Sequence, residues 1–195
     1  MDAEAAAAWY RRAAEAGHAA AMYNLGSLYA NGAGVPVDAE EAVTWYRRAA
    51  AEGHASAVYN LGVMYTKGEG VPVDSEAGAE WYRRAAEAGH AGAMYNLGYA
   101  YQKGQGVPVD AVEAVAWYRR AAEVGHTGAM VNLGCTYENG EGVLVDAEAA
   151  VAWYRRAAEV GHAGAMSNLG NMDDDEATTQ ADTAEARAGP AAAAM

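Results

Sequence analysis

The chain has 195 residues, of which 52% are hydrophobic and 20% charged, so it is long enough to bury the core of one ordinary domain. Its formal net charge of −13 repels phosphate backbones and anionic lipid surfaces, which argues against nucleic-acid and membrane binding. The single cysteine, Cys135, excludes an intrachain disulfide and a thiolate metal cluster. No signal-peptide pattern and no long apolar run occurs, and together with the lone cysteine this predicts a cytoplasmic location.

An internal period of 36 residues organises the sequence. Five tryptophans and five histidines each recur at that spacing: Trp9, Trp45, Trp81, Trp117 and Trp153, and His18, His54, His90, His126 and His162. The copies span residues 2–37, 38–73, 74–109, 110–145 and, incompletely, 146–172. A fixed period of this length is typical of repeat architectures, in which each copy is one supersecondary unit.

Each copy predicts a helix, a turn, a second helix and a loop. In the second copy Asp38 is a favourable N-cap, and Glu41 follows at the spacing of a capping box. The alanine-rich first helix ends at Gly53, because glycine tolerates the left-handed conformation of a C-terminal cap. The second helix begins near His54 and ends at the glycines from Gly68 onward. The fold class is therefore all-α.

One hairpin cannot bury its apolar faces alone, so neighbouring copies must stack as a solenoid. We place the tryptophans at these junctions and expect truncation of Trp81 to cost about 3–5 kcal/mol. The acidic, alanine-rich tail of residues 173–195 is expected to form a short capping helix or to be disordered. The first copy opens directly at Asp2 with no cap before it, as in a segment of a longer array.

The repeated motif resembles a known family. Trp81-Tyr82-Arg83-Arg84-Ala85-Ala86-Glu87-Ala88-Gly89-His90, followed by Leu97-Gly98, Gly104-x-Gly106 and Asp110, is similar to the Sel-one-like repeat (SLR), a relative of the tetratricopeptide repeat. The match covers residues 2–172. The resemblance implies a right-handed superhelix of antiparallel helix pairs, with a concave surface that acts as an adaptor for protein complexes. Some secreted members carry a cysteine pair in each repeat and are linked to β-lactam binding, but this chain lacks those cysteines.

Two repeated features invite a ligand and are better explained by structure. Stacked repeats place equivalent histidines about 10 Å apart, too far for a shared zinc ion, so we predict turn residues and no metal. The glycine-rich loops, such as Lys67-Gly68-Glu69-Gly70, follow helices and carry a glutamate, so we predict helix termination rather than phosphate binding. No cofactor is expected, and no nucleophile, base and orienting group recur as a catalytic set.

Paired arginines form a basic row that an acidic peptide could follow. The pairs are Arg11-Arg12, Arg47-Arg48, Arg83-Arg84, Arg119-Arg120 and Arg155-Arg156. The alternative is local pairing along the helix surface, for example between Glu80 and Arg83 or Arg84. With the first helices as the concave wall, which the resemblance implies, the candidate partner-binding residues are Thr44, Arg48, Glu80, Arg84 and Arg120.

The copies also differ along one stripe of the second helix, which we predict to face solvent. Its positions are Ala20, Ser56, Gly92 and Gly128; Tyr23, Tyr59, Tyr95, Val131 and Ser167; and Ser27, Val63, Tyr99, Cys135 and Asn171. The leading hypothesis is a non-enzymatic scaffold or adaptor that binds a protein or peptide. Two alternatives stay open: a β-lactamase-like hydrolase, by analogy with distant family members, and a self-associating structural array.

Overall fold

The computed structural model describes residues 3–172, which contain ten helices and no strand. The first nine helices have 13 residues each: α1 Ala3–Glu15, α2 Ala19–Asn31, α3 Ala39–Ala51, α4 Ala55–Lys67, α5 Ser75–Glu87, α6 Ala91–Lys103, α7 Ala111–Glu123, α8 Thr127–Asn139 and α9 Ala147–Glu159. The tenth, α10, covers 163–172. The predicted tail, residues 173–195, lies outside the described residues.

The helices follow one another as in an α-solenoid. The chain divides into two compact units between His126 and Thr127, the first holding α1 to α7 and the second α8 to α10. In the first unit each helix packs against its neighbours in the chain, and in the second unit α8 packs against α9. The predicted all-α solenoid fold is thereby confirmed. Within residues 3–172, every helix is too short or too polar to cross a membrane.

Aspartates start the first helices, as predicted. The Asp38 side chain accepts a hydrogen bond from the Glu41 N–H at 2.9 Å, and Asp74, Asp110 and Asp146 cap α5, α7 and α9 in the same way. The predicted capping box is only half formed. The Glu41 carboxylate instead accepts a hydrogen bond from the indole N–H of Trp45 at 3.3 Å. The glutamate therefore orients the tryptophan rather than closing the helix end.

The glycine-rich loops end the second helices and return the chain to the next repeat. Gly68 adopts the left-handed conformation at φ 76°, and its N–H donates to the Met64 carbonyl as a C-cap. Gly70 also has a positive φ, and a Cβ there would collide with the Ala39 carbonyl at the start of α3. This close approach explains why a second glycine follows the first. The predicted role in helix termination is confirmed.

The junctions between repeats depend on tyrosine, and the tryptophans, which were predicted there, are buried to different degrees. Tyr82 is 7% exposed and packs against Gly62 of the preceding repeat, where an added Cβ would lie 2.6 Å from the ring. The same pairs form at Tyr46 with Gly26, Tyr118 with Gly98 and Tyr154 with Gly134. Trp45 is 6% exposed, Trp81 is half-buried and Trp9 is 65% exposed. One residue along a helix turns a side chain by about 100°, so Trp81 does not share the contact of Tyr82 with Gly62.

Candidate interaction surface

An exposed face of the first helices carries stacked arginine and tryptophan side chains. The guanidinium carbon of Arg48 lies 4.2 Å from the centre of the Trp45 ring, and Arg84 and Arg120 each lie 4.3 Å from the Trp81 and Trp117 rings. Arg12 over Trp9 and Arg156 over Trp153 repeat the arrangement. We call the pairs of α3, α5 and α7 the Arg–Trp face.

The spacing of the two residues explains the stacking. Arginine follows tryptophan by three positions, which brings both side chains to the same face of a helix. A guanidinium over an indole is attracted by the negative face of the ring. In the described part of the chain, Arg48, Arg84 and Arg120 have no carboxylate within ion-pair distance. The rings hold these arginines in place, and their N–H groups bind no carboxylate among residues 3–172.

The two other predicted site residues lie beside this face and are engaged locally. Thr44 precedes Trp45 and is exposed, and its hydroxyl donates to the Glu40 carbonyl one turn earlier at 3.1 Å. Glu80 precedes Trp81 and accepts from Arg83 at 2.7 Å. The structure therefore brings three of the five predicted residues into one repeated arrangement. The role of all five in partner binding stays a prediction.

In the first three repeats, the first arginine of the pair holds the two helices of its own repeat together. Arg47 on α3 donates to the Tyr65 hydroxyl on α4 at 2.6 Å, and Arg83 donates to Tyr101 at 3.1 Å. Arg11 makes the same bond to Tyr29. The bond to Tyr101 is the main reason why the pKa of Arg83 is raised. The two arginines of a repeat therefore have different roles. In the third repeat, Arg83 stabilises the hairpin and Arg84 lies on the Arg–Trp face.

His54, His90 and His162 cap second helices with their side chains, as expected of turn residues, whereas His18 begins α2 without such a bond. Nδ1 of His90 accepts a hydrogen bond from the Ala93 N–H at 3.2 Å, and its ring stacks on Tyr59 of the preceding repeat at 4.5 Å between centres. His54 caps α4 and stacks on Tyr23 in the same way. Burial lowers the pKa of His90, which favours the neutral ring that this cap requires. Residues 3–172 contain no cluster of three or more metal-ligating side chains.

These contacts correct the predicted solvent-facing stripe of the second helix. Tyr23 and Tyr59 are half-buried between repeats, and each ring lies between the histidine and the junction tyrosine of the next copy. Tyr95 makes the same contacts with Tyr118 and His126. These three tyrosines therefore take part in the packing between repeats, and the stripe does not face solvent along its whole length.

Sequence reasoning missed a polar cluster around the hydroxyl of each junction tyrosine. Its partners change from copy to copy: Ser27 at 3.1 Å from Tyr46, Thr66 and Asn96 beside Tyr82, Gln102 at 2.9 Å from Tyr118, and Glu138 at 2.6 Å with Cys135 at 3.2 Å from Tyr154. Burial is the largest cause that raises the pKa of Tyr82 and of Tyr154. The sequence did carry a signal for this cluster, because polar or small residues replace one another at the positions of the repeat that contact the tyrosine hydroxyl.

The chain is similar to proteins of one repeat family. The family model described as the Sel1 repeat matches residues 2–18, 19–54, 55–90, 91–126 and 127–162. A protective antigen of uropathogenic Escherichia coli strains displaying an SLR fold is 40% identical, with a TM-score of 0.83 over 85% of this chain and 36% of that one. A Sel1 repeat protein from Oxalobacter formigenes is 39% identical, with a TM-score of 0.79 over 86% of this chain and 67% of that one.

A third structure shows the fold alone. The cysteine rich protein B of Helicobacter pylori is 19% identical, with a TM-score of 0.54 over 68% of this chain and 98% of its own. No curated protein is significantly similar to the chain. The chain spans about a third of the length of the Escherichia coli antigen. On the family model and the two structures near 40% identity, the chain belongs to the Sel1 repeat family, whose members are generally non-enzymatic scaffolds for protein–protein interaction.

Proposed function

We propose that the chain is a non-enzymatic scaffold that binds an acidic segment of a partner protein along the Arg–Trp face. The observation that carries the proposal is that three exposed guanidinium groups are stacked on indole rings without an acidic partner among the described residues. Carboxylates of a partner would accept hydrogen bonds from these guanidinium groups and form ion pairs with them.

The stacking prepares the arginines for binding. An arginine side chain on a protein surface ordinarily loses rotamer freedom when it binds, which reduces affinity. The Trp81 ring already restricts Arg84, so less freedom is lost, and the planar guanidinium can offer two N–H groups to one carboxylate. The exposed parts of the Trp81 and Trp117 indoles add apolar contact area, whereas Trp45 is buried and serves to hold Arg48. Arginine and tryptophan are also the residues that most often dominate the binding energy of protein interfaces.

Charge favours this face over the rest of the molecule. The chain has 26 acidic and 13 basic residues, so an acidic partner is repelled by most of the surface. The arginines of the Arg–Trp face then determine where the acidic segment binds. Binding should accordingly weaken as ionic strength rises, because salt screens exposed charges.

Affinity capture from cells that express the protein tests the proposal. The wild type is compared with Arg48→Glu/Arg84→Glu, and the matched control is Lys67→Glu/Lys103→Glu, whose lysines are exposed at the ends of α4 and α6. Each substitution changes the charge by −2, so both double variants go from −13 to −17. Circular dichroism checks that each variant keeps its helices.

We expect the arginine variant to lose the partner, with affinity of the purified pair reduced at least about tenfold, or about 1.4 kcal/mol. The lysine variant should bind much like the wild type. Equal loss in both variants would mean that only net charge matters, and unchanged binding by the arginine variant would remove the Arg–Trp face from the account.

A further inference from the structure

A small polar pocket opens between α4, α5 and α6, at the junction of the second and third repeats. Its volume is about 130 Å³. It is lined by Thr66, Ser75, Ala79, Tyr82, Asn96, Tyr99, Ala100 and Gln105. We call it the α4–α6 pocket. It lies within the first compact unit, and none of its lining residues belongs to the Arg–Trp face, although Tyr82 is next to Trp81 in the sequence.

The pocket owes its space to two small residues of α5. Ala79 occupies the position that is Val43 in the second repeat and Val115 in the fourth, so two methyl groups are missing from its wall. Gly78 precedes it where the other copies have alanine, and the Thr66 hydroxyl lies where a Cβ of residue 78 would be. The third repeat therefore forms a cavity from a position that valine fills in its neighbours.

The lining is neutral and rich in hydrogen-bonding groups. At the floor, Thr66 and Asn96 hydrogen-bond the buried Tyr82 hydroxyl. Around them, Ser75, Tyr99 and Gln105 make no side-chain hydrogen bond to any described residue. Gln105 is notable because its counterparts in the second and fourth repeats are Glu69 and Glu141. The pocket has thus lost a carboxylate and gained an amide, together with the partly exposed ring of Tyr99.

We propose that the α4–α6 pocket binds a carboxamide side chain, asparagine or glutamine, of a partner protein. That the carboxamide belongs to a protein rests on the proposed scaffold function. The volume is below the about 300 Å³ of small-molecule sites, so it suits one side chain. A carboxamide both donates and accepts hydrogen bonds, as do the free hydroxyls and amide of the lining. A carboxylate would lack a cation in this lining, and burial of an unpaired charge is unfavourable.

The amide of a single residue tests the pocket directly. N-acetyl-glutamine methylamide is titrated into the full chain, and the side-chain amide resonances of Asn96 and Gln105 are followed by NMR. The matched probe is N-acetyl-glutamate methylamide, which has the same shape and carries a charge. We expect saturable shifts with the glutamine probe, with a dissociation constant on the order of millimolar for so small a ligand, and at least about tenfold weaker binding of the glutamate probe.

Two variants copied from the other repeats distinguish the pocket from its surroundings. Ala79→Val restores the valine that fills the space, and Gln105→Glu restores the carboxylate at an exposed loop position that the fold does not need. Each should weaken glutamine-probe binding at least about tenfold. Ala116→Val, the same change on the exposed surface of α7, should leave it unaltered.

The proposal is overturned if the glutamine probe causes no saturable shift, if Ala79→Val binds it as the wild type does, or if the glutamate probe binds equally well. Arg48→Glu/Arg84→Glu should bind the glutamine probe normally. Loss of partner capture by that variant with intact probe binding supports both proposals separately. If the glutamine probe binds normally but no partner depends on the arginines, the proposal for the pocket is supported and the proposal that an acidic segment binds the Arg–Trp face is wrong.

Discussion

At the scale of single residues, Tyr82 links the second and third repeats. Its ring packs against Gly62, and its hydroxyl is held by Thr66 and Asn96. We expect Tyr82→Ala to reduce the free energy of unfolding by about 3–5 kcal/mol, because a large buried side chain leaves a cavity. Trp81→Ala should cost clearly less, since Trp81 is half-buried. Chemical denaturation followed by circular dichroism measures both, and a larger loss for Trp81→Ala would contradict this assignment of the junction.

The sequence could not distinguish these two adjacent aromatic residues. Trp81 and Tyr82 both recur in every copy, so periodicity marks each as structural without saying which one faces the neighbouring repeat. The distinction depends on the glycine of the Asn-Leu-Gly motif, which admits the tyrosine ring. That contact joins residues 20 positions apart and is visible only when the helices are packed.

His90 makes stability depend on pH. Its ordinary pKa is about 6.5, and burial between its helix and Tyr59 lowers it in the folded protein. Below pH 6.5 the unfolded chain therefore takes up more protons at His90 than the folded chain does. The free energy of unfolding decreases as the pH is lowered, until the pH is below the pKa of His90 in the folded protein. Urea denaturation between about pH 7.5 and 5.5 should show this loss. His90→Asn keeps a cap acceptor and should show a shallower loss, and an unchanged slope would contradict the assignment.

At the scale of helices, the approach of α4 to α5 depends on Gly62. A Cβ at this position would lie 2.6 Å from the ring of the buried Tyr82, so the ring or the helices would have to shift. We expect Gly62→Ala to lower the free energy of unfolding by about 1–3 kcal/mol, despite the better helix propensity of alanine.

Gly170 provides the control, because it is also helical and a Cβ there meets nothing within 4 Å. Gly170→Ala should be neutral or stabilising by up to about 1 kcal/mol. Thermal unfolding of the two variants separates the effects. If both alanines raised the midpoint equally, close helix packing at Gly62 would not be the reason for glycine.

Helix boundaries were the most predictable part of the fold. Asp38 begins α3 and Gly68 ends α4 through local interactions, which depend on residues within one turn. The partner of Glu41 was not predictable in the same way. Two donors compete for its carboxylate, a helix-end N–H and the indole N–H of Trp45, and the choice depends on where the tryptophan packs.

At the scale of the molecule, the repeat produces several copies of one surface. Differences between the copies produce features that occur at one junction, such as the α4–α6 pocket. The candidate arginines could be found from sequence because they recur with the tryptophans. Their stacking follows from the spacing of three residues. The α4–α6 pocket could not be found, because it arises from a missing valine on one helix and hydroxyls on two others.

The central claim is that a partner binds on the Arg–Trp face. Site-specific photo-cross-linking tests it most directly, with a photoreactive residue in place of Thr44, next to Trp45, or in place of Lys67 at the exposed end of α4. We expect that a partner is cross-linked from position 44, that an added acidic peptide suppresses this product, and that position 67 gives little. Cross-linking from position 67 alone, or equally from both positions, would contradict it.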